Sequence, residues 1–308
     1  MNNQFKNICL IINPEAKGGR AREEGVRARH LLENVMRGSA INMVNTQNAK
    51  HAEVIFDKIE QPDLVIALGG DGLVHEVVNG IMAMPEARRP VLAVIPYGSG
   101  NDFARSLGFS FKMEQAVAQL SRAQIKNIDL GICNGRYFVQ SLSFGLDAQI
   151  AQETNRLRRI NSASGTRLYL QASLNTIKDS LGVYNFSLSA QCEKETLIQD
   201  DKMHLMAIQN GKTYGGGFKI CPDAKLDDGL LSIAVARAPL SKVKATCILL
   251  LARFGLHTQS KDLDFFNASY VNIKFPKAPV CQMDGELHEI QEACVSVIPK
   301  ALKVLAMK

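Results

Sequence analysis

Three short apolar runs constrain the first part of this chain most: residues 8–12 (ICLII), 64–68 (LVIAL) and 91–95 (VLAVI). Each is continuous rather than alternating, which is how a strand buried on both faces of a parallel sheet reads. Each ends in a Gly- or Pro-bearing loop and is followed by a helical pattern. After LVIAL the helix carries Val74, Val77, Val78 and Ile81 at i, i+3, i+4 and i+7, so one stripe faces a core. Strands alternating with helices predict a doubly wound α/β layer.

From Asp129 the texture changes to short alternating segments at 137–144, 186–192, 203–209, 230–236, 271–275 and 294–298. In NFSLSAQC, Phe186, Leu188 and Ala190 alternate with Ser187, Ser189 and Gln191, the pattern of a half-buried antiparallel strand. Helical texture returns at 164–180 and 241–254. The expected fold is α/β plus β. A doubly wound α/β domain spans 1–127, an antiparallel β-sandwich spans 128–300, and a tail at 301–308 would pack back on the first domain. The 308 residues suffice for two domains with sizeable cores.

Composition excludes several classes. Apolar residues make up 46% and charged residues 21%, so the chain is neither disordered nor of low complexity. A net charge of +6 suits anionic partners such as nucleotides or acidic lipid surfaces. It is too weak to argue for nucleic acid. The polar start does not read as a secretory signal. No apolar stretch approaches the length of a membrane span; the longest, 247–252, stops at Arg253. The seven cysteines include no Cys-x-x-Cys pair. Neither a zinc site nor a disulfide framework is expected, and they read as reduced core residues of a cytosolic protein.

Three glycine-rich loops follow the three runs. They comprise Asn13-Pro14-Glu15-Ala16-Lys17-Gly18-Gly19-Arg20, Gly69-Gly70-Asp71-Gly72, and Pro96-Tyr97-Gly98-Ser99-Gly100-Asn101-Asp102. In an open α/β sheet, loops after the strands line one crevice where ligands bind. Glycine lets the backbone approach a phosphate and present N–H groups to it, and a following helix N-terminus adds partial positive charge. There is no G-x-x-x-x-G-K-[ST] P-loop, and the H-R-D and D-F-G pair of protein kinases is missing. An aspartate inside a phosphate-facing turn needs a reason. A divalent cation bridging Asp71 to phosphate oxygens, or Asp71 accepting a hydroxyl proton, would supply one, and both belong to phosphoryl transfer.

Together, Asn13-Pro14, Gly69-Gly70-Asp71-Gly72 and Gly98-Ser99-Gly100-Asn101-Asp102 resemble the diacylglycerol-kinase catalytic family of lipid kinases, which includes bacterial lipid kinases and sphingosine kinases. The resemblance continues through the segment from Pro222 to Leu230 and into Met283-Asp284-Gly285-Glu286. It implies a first domain like those of phosphofructokinases and NAD kinases. It also implies ATP contacts at Asn13, Pro14, Glu15, Ala16, Lys17, Thr46, Gly69, Gly70, Asp71, Gly72, Leu73, Val74, His75, Ser99, Asn101, Asp102 and Glu286. Asp284 matches the carboxylate that serves bacterial members as general base, and Asp71 the one in sphingosine-kinase-type members. Asp102, Asp129 and Asp228 match acidic positions tied to metal and water networks. A structural Mg²⁺ would be held by the Asp228 side chain and the carbonyls of Lys225 and Leu230, an oxygen-only set that suits a hard cation.

The resemblance implies a kinase that uses ATP and Mg²⁺ to phosphorylate a lipid hydroxyl, with diacylglycerol leading as acceptor and phosphatidic acid as product. Such a chain is expected in the cytoplasm, visiting a membrane surface peripherally and in a salt-sensitive way. A homodimer is compatible with the sequence. The chain departs from many bacterial members in having Leu73-Val74-His75-Glu76 after the glycine turn, which looks more like sphingosine kinases. A sphingosine-type acceptor, a soluble acceptor as in NAD kinases, and a non-enzymatic nucleotide sensor are the alternatives. His75 either contacts nucleotide or faces solvent. Arg156, Arg158 and Arg159 either form a solvated face or meet anionic headgroups. The 243–254 helix packs in a core, docks on a membrane or walls a lipid slot.

Overall fold

A computed structural model describes residues 5–16, 19–160, 165–192 and 195–307. The chain divides into two compact units, Met1–Ile128 with Lys300–Lys308, and Asp129–Pro299.

The first unit contains β1 (Asn7–Ile12), α1 (Ala21–Val35), β2 (Ala40–Asn45), α2 (His51–Val54), β3 (Leu64–Gly69), α3 (Asp71–Ala83), β4 (Val91–Pro96), α4 (Asp102–Ser106) and α5 (Met113–Leu120). Its strands pair in parallel in the order β2-β1-β3-β4. Every residue of β3 and β4 is buried, which is why both read as unbroken apolar runs. α1 packs on α5, and α2 on α3. The second packing is close enough to require a glycine: a side chain at Gly80 of α3 would collide with Phe56.

The second unit is antiparallel. β5 (Gln124–Cys133) leads into β6 (Arg136–Phe138) and β7 (Ser141–Gly145). Two helices follow, α6 (Leu146–Ile160) and α7 (Gly165–Asp179). Then come β8 (Tyr184–Gln191), β9 (Thr196–Gln209), β10 (Leu231–Arg237), α8 (Lys242–Ala252), β11 (Leu263–Ala268), β12 (Tyr270–Lys274), β13 (Val280–Met283), β14 (Glu286–Glu289) and β15 (Glu292–Ala306). β9 pairs with β8 along its first half, and with β7 and β10 along its second.

Period two divides this unit's interior into two cores. Met206 and Ile208 of β9, with Ile233 and Val235 of β10, join Phe138, Phe144, Phe186 and Val295 in one. Ala207 and Ala234, pointing the other way, meet Leu146, Leu168, Tyr169 and Leu249 from the helices in the second. The expected α/β unit followed by a β-sandwich is therefore the observed fold, with helices covering one sheet face. The chain passes between the units twice, within β5 and within β15. Val304 of β15 pairs in parallel with Leu92 of β4.

The described cysteines form no disulfide. Cys9, Cys133, Cys221 and Cys281 are core residues, but Cys247 and Cys294 are exposed, a correction to the reading of all seven as interior. Burial pushes the thiols of Cys9, Cys133 and Cys281 up to about 12.

Candidate active site

The carboxyl ends of β1, β3 and β4 are neighbours. Ile12 pairs with Leu68, and Gly69 with Pro96. The Tyr97 N–H donates to the Gly69 carbonyl at 2.8 Å, and the Thr46 N–H to the Ile12 carbonyl at 2.8 Å. One sheet edge therefore launches the segments holding Asn13, Thr46, Gly70 and Ser99. Asn13 Oδ1 accepts the Glu15 N–H at 3.1 Å, and the Ala16 N–H closes the turn onto the Asn13 carbonyl. Lys17 and Gly18 lie outside the described residues.

The second and third loops touch backbone to backbone. A β-carbon on Gly98 would lie 2.3 Å from Gly70 Cα. Asn101, at φ +54°, closes the third loop with its side chain: Oδ1 accepts from Gly98 N at 2.7 Å and Nδ2 donates to Gly98 O at 3.0 Å. Asp71 opens α3, where a negative side chain complements the helix dipole, and its Oδ1 accepts the Phe103 N–H at the start of α4 at 3.1 Å. Asp102 is buried with Arg105 Nε 3.6 Å from Oδ1. Leu73 and Val74 are core side chains. His75 is fully buried, with Asn79 Nδ2 3.5 Å from its Nε2 and donating to its carbonyl. The solvent-facing reading of His75 is thereby corrected: it lies off the Val74 stripe, but α3 is buried well beyond that stripe, Leu73, Gly80 and Met82 included.

In the second unit, Asp284 and Gly285 form the two-residue loop of the β13–β14 hairpin. Both have positive φ, +47° and +93°, the requirement of a type I′ turn and the reason Asp-Gly marks one. Asp284 is buried, and its carboxylate is gripped by the backbone between β6 and β7. Oδ2 accepts from Val139 N at 2.9 Å, and Oδ1 from Gln140 N at 2.9 Å and Ser141 N at 3.0 Å. Its own N–H donates to the Ser141 carbonyl. Glu286, the next residue after the turn, is exposed.

The loop holding Lys225, Asp228 and Leu230 is tied to the same place. Asp129 donates its N–H to the Leu226 carbonyl and accepts the Gly229 N–H at 2.6 Å through Oδ2. Asn210 Nδ2 bridges the carbonyls of Asp129 and Val139 at 2.8 and 3.0 Å. A continuous set of bonds thus joins the 226–230 loop to Asp284. Asp228 Oδ1 accepts the Leu230 N–H, and the side chain is exposed. A carboxylate with two peptide carbonyls is an oxygen-only donor set, so these residues fit a hard divalent cation. Among the described residues no group of three His, Cys, Asp or Glu side chains is placed to hold a metal.

Sequence reasoning missed the polar network behind this turn. Gln282 Oε1 accepts the Gly285 N–H at 2.7 Å, while its Nε2 donates to Ser143 Oγ at 2.8 Å and Asp147 Oδ2 at 3.1 Å. Ser143 and Tyr169 donate hydroxyls to the same carboxyl. Burial pushes the Asp147 carboxyl upward, against these donors. The available signal was a serine and an aspartate four residues apart inside an apolar run. Beside this network lies a narrow apolar cavity of about 70 Å³, walled by Ile150, Tyr169, Leu205, Ala234, Leu249 and His257 among others.

The comparisons with known proteins follow the same division. Residues 7–133 match the family described as diacylglycerol kinase catalytic domain. Residues 140–306 match the YegS C-terminal NAD kinase beta sandwich-like domain. A "Probable lipid kinase YegS-like" from Pectobacterium atrosepticum is 30% identical over 249 residues, covering 78% of this chain and 77% of that protein. A "Diacylglycerol kinase" from Staphylococcus epidermidis is 32% identical over 225 residues, covering 73% of this chain and 68% of that one. In fold, the chain resembles the crystal structure of a diacylglycerol kinase from Bacillus anthracis, with a TM-score of 0.75 at 20% identity over 99% of this chain and 98% of that one.

Proposed function

Because this chain belongs to the diacylglycerol kinase catalytic-domain family of lipid kinases, we propose that it transfers the γ-phosphoryl of ATP to the hydroxyl of diacylglycerol, giving phosphatidic acid and ADP. The observation that carries the nucleotide half is the contact of the Gly70 and Gly98 backbones at one sheet edge. Peptide N–H groups at such a crest, with the first turn of α3, suit a triphosphate. The apolar cavity of the second unit supports a lipid acceptor over a soluble one. At about 70 Å³ it holds only a few methylene groups, so in this reading an acyl chain would require the helices beside it to part.

In this reading the lipid hydroxyl oxygen attacks the γ-phosphorus as the bond to the β-phosphate oxygen breaks. Asp284 accepts the hydroxyl proton. Its three N–H donors fix the carboxylate in one orientation, and the type I′ turn holds it at a hairpin tip. Asp71 joins the two nucleotide loops and orients them. Mg²⁺, when bound, supplies charge neutralisation for the phosphoryl oxygens. A structural cation at Asp228, Lys225 and Leu230 would brace the loop that Asp129 and Asn210 connect to Asp284.

The lipid assignment is tested by incubating the protein with labelled ATP and a panel of diacylglycerol, sphingosine, ceramide, phosphatidylglycerol and NAD. Label is expected in diacylglycerol. The Leu73-Val74-His75-Glu76 segment favours sphingosine as the second acceptor, and label there moves the assignment within the lipid class. Label in NAD alone overturns it.

The structural cation has its own check. Mg²⁺ that binds only the folded chain stabilises it by about 1.4 kcal/mol at ten times its dissociation constant. For a unit of this size that is a rise in Tm of roughly 3–6 °C. Wild type is expected to show this rise in a thermal scan and Asp228→Ala to lose most of it. An equal rise in both removes Asp228 from the site.

A further inference from the structure

A helix that closes a core buries one stripe and turns polar residues to solvent. α8 does not. It buries Ala245, Leu249 and Ala252, spaced i, i+4 and i+7, against the apolar cavity. Its other face is apolar as well. Val243, Cys247, Leu250 and Leu251 fall at i, i+4, i+7 and i+8, and Phe254 and Leu256 follow in the turn just beyond its end. Val243 is 75% exposed, Leu250 48%, Leu251 42%, Phe254 69% and Leu256 63%. A contiguous outward apolar patch of this kind marks a surface that something covers.

The charge around the patch selects what covers it. α8 contains no acidic residue. Lys242 and Lys244 bracket Val243 in the first turn, and Arg253 follows the last. Lys219 stands beside that end, its N–H bonded to the Ala252 carbonyl at 2.9 Å. Of these cations, Lys244 pairs with Asp262 at 2.7 Å, and Lys242 Nζ donates to the carbonyls of Lys178 and Asp179 at the end of α7. A second copy laid face to face on α8 would bring these cations against their equivalents. A bilayer with anionic headgroups accepts both features, the apolar side chains below the headgroups and the cations among them.

We propose that the outward face of α8 docks this enzyme on an anionic bilayer. The proposal rests on the lipid-kinase reading for its purpose. It adds a site that reading does not need: a helix whose outer face meets the bilayer and whose inner face walls the cavity, so that docking and loosening of the cavity wall fall on one element.

The chain contains no tryptophan, so Phe254→Trp installs a single reporter. Its emission is expected to shift to the blue on addition of phosphatidylglycerol vesicles and to stay unshifted with phosphatidylcholine vesicles. The double variant Leu250→Ser with Phe254→Ser is expected to sediment with phosphatidylglycerol vesicles at least tenfold more weakly than wild type. It should keep its rate on a short-chain diacylglycerol dispersed in detergent. Raised salt should weaken wild-type binding. Unshifted emission, equal sedimentation of variant and wild type, or a wild-type dimer that the double variant dissociates without losing vesicle binding each overturns the proposal. Vesicle binding without label in any lipid would sink the kinase reading and leave the docking surface standing. Phosphorylation without vesicle binding would do the reverse.

Discussion

Gly98→Ala is expected to lower kcat/KM for ATP by roughly 100-fold or more, the scale of loss that follows a misplacement of about 1 Å in a reacting group. The new methyl would lie 2.3 Å from Gly70 Cα and 3.0 Å from Gly70 N. Neither atom belongs to a flexible side chain that could swing away. Both loops are fixed at their bases, where Gly69 pairs with Pro96 and Tyr97 donates to Gly69, so the crest itself must open. Asn101 Oδ1, 2.9 Å from the added carbon, would be pushed off its bond to Gly98 N. Secondary structure by circular dichroism should survive, because the change lies outside the strands. An ATP KM within threefold of wild type would show that the crest is not the nucleotide seat.

Asp284→Asn is expected to cut kcat by about 10²–10⁴-fold, the usual worth of a positioned general base, and to lower Tm by several degrees. The two losses have separate causes. Asparagine tolerates the positive φ of the turn, so the hairpin persists. Its amide nitrogen cannot accept an N–H, and one of the bonds from Val139, Gln140 or Ser141 is lost, each worth about 1.5–3 kcal/mol to a charged acceptor. Measuring ATP affinity alongside kcat separates catalysis from unfolding: affinity for ATP should hold while turnover falls. Asp71→Asn makes the counterpart. Its carboxylate bonds Phe103 N across two loops, so that variant should weaken ATP binding as well as turnover. Unchanged lipid phosphorylation in both variants would mean that neither residue is catalytic.

The parts of the fold that were legible in sequence are those where one physical pattern acts alone. β3 and β4 are buried along their whole length and showed as apolar runs. The Asp284-Gly285 segment stood out through its resemblance rather than as a turn, although Asp-Gly is a dipeptide that accepts the positive φ of a type I′ turn. β2 escaped notice because only Ile41 of Ala40–Asn45 is buried and the strand mixes asparagine with apolar residues. α6 was hidden by its polarity: Arg156, read as part of a basic run, pairs with Glu153 one turn earlier at 2.6 Å, and Arg158 donates to Asn155. The Arg159 side chain lies outside what is described. The inner and outer stripes of α8 are both apolar, so helical periodicity could not say which is packed. The grip on Asp284 was beyond sequence altogether. Its partners lie some 140 positions earlier in the chain, and they are peptide N–H groups, which every residue but proline carries.

The strand beside β4 has a consequence for synthesis. Val304 pairs with Leu92, and the Met307 N–H bonds the Leu107 carbonyl, yet some 170 residues forming a separate compact body intervene. On the ribosome, the body read out second can therefore close while the one begun first still lacks an edge. Its exposed β4 must wait, unpaired on one side, until translation has delivered the returning segment.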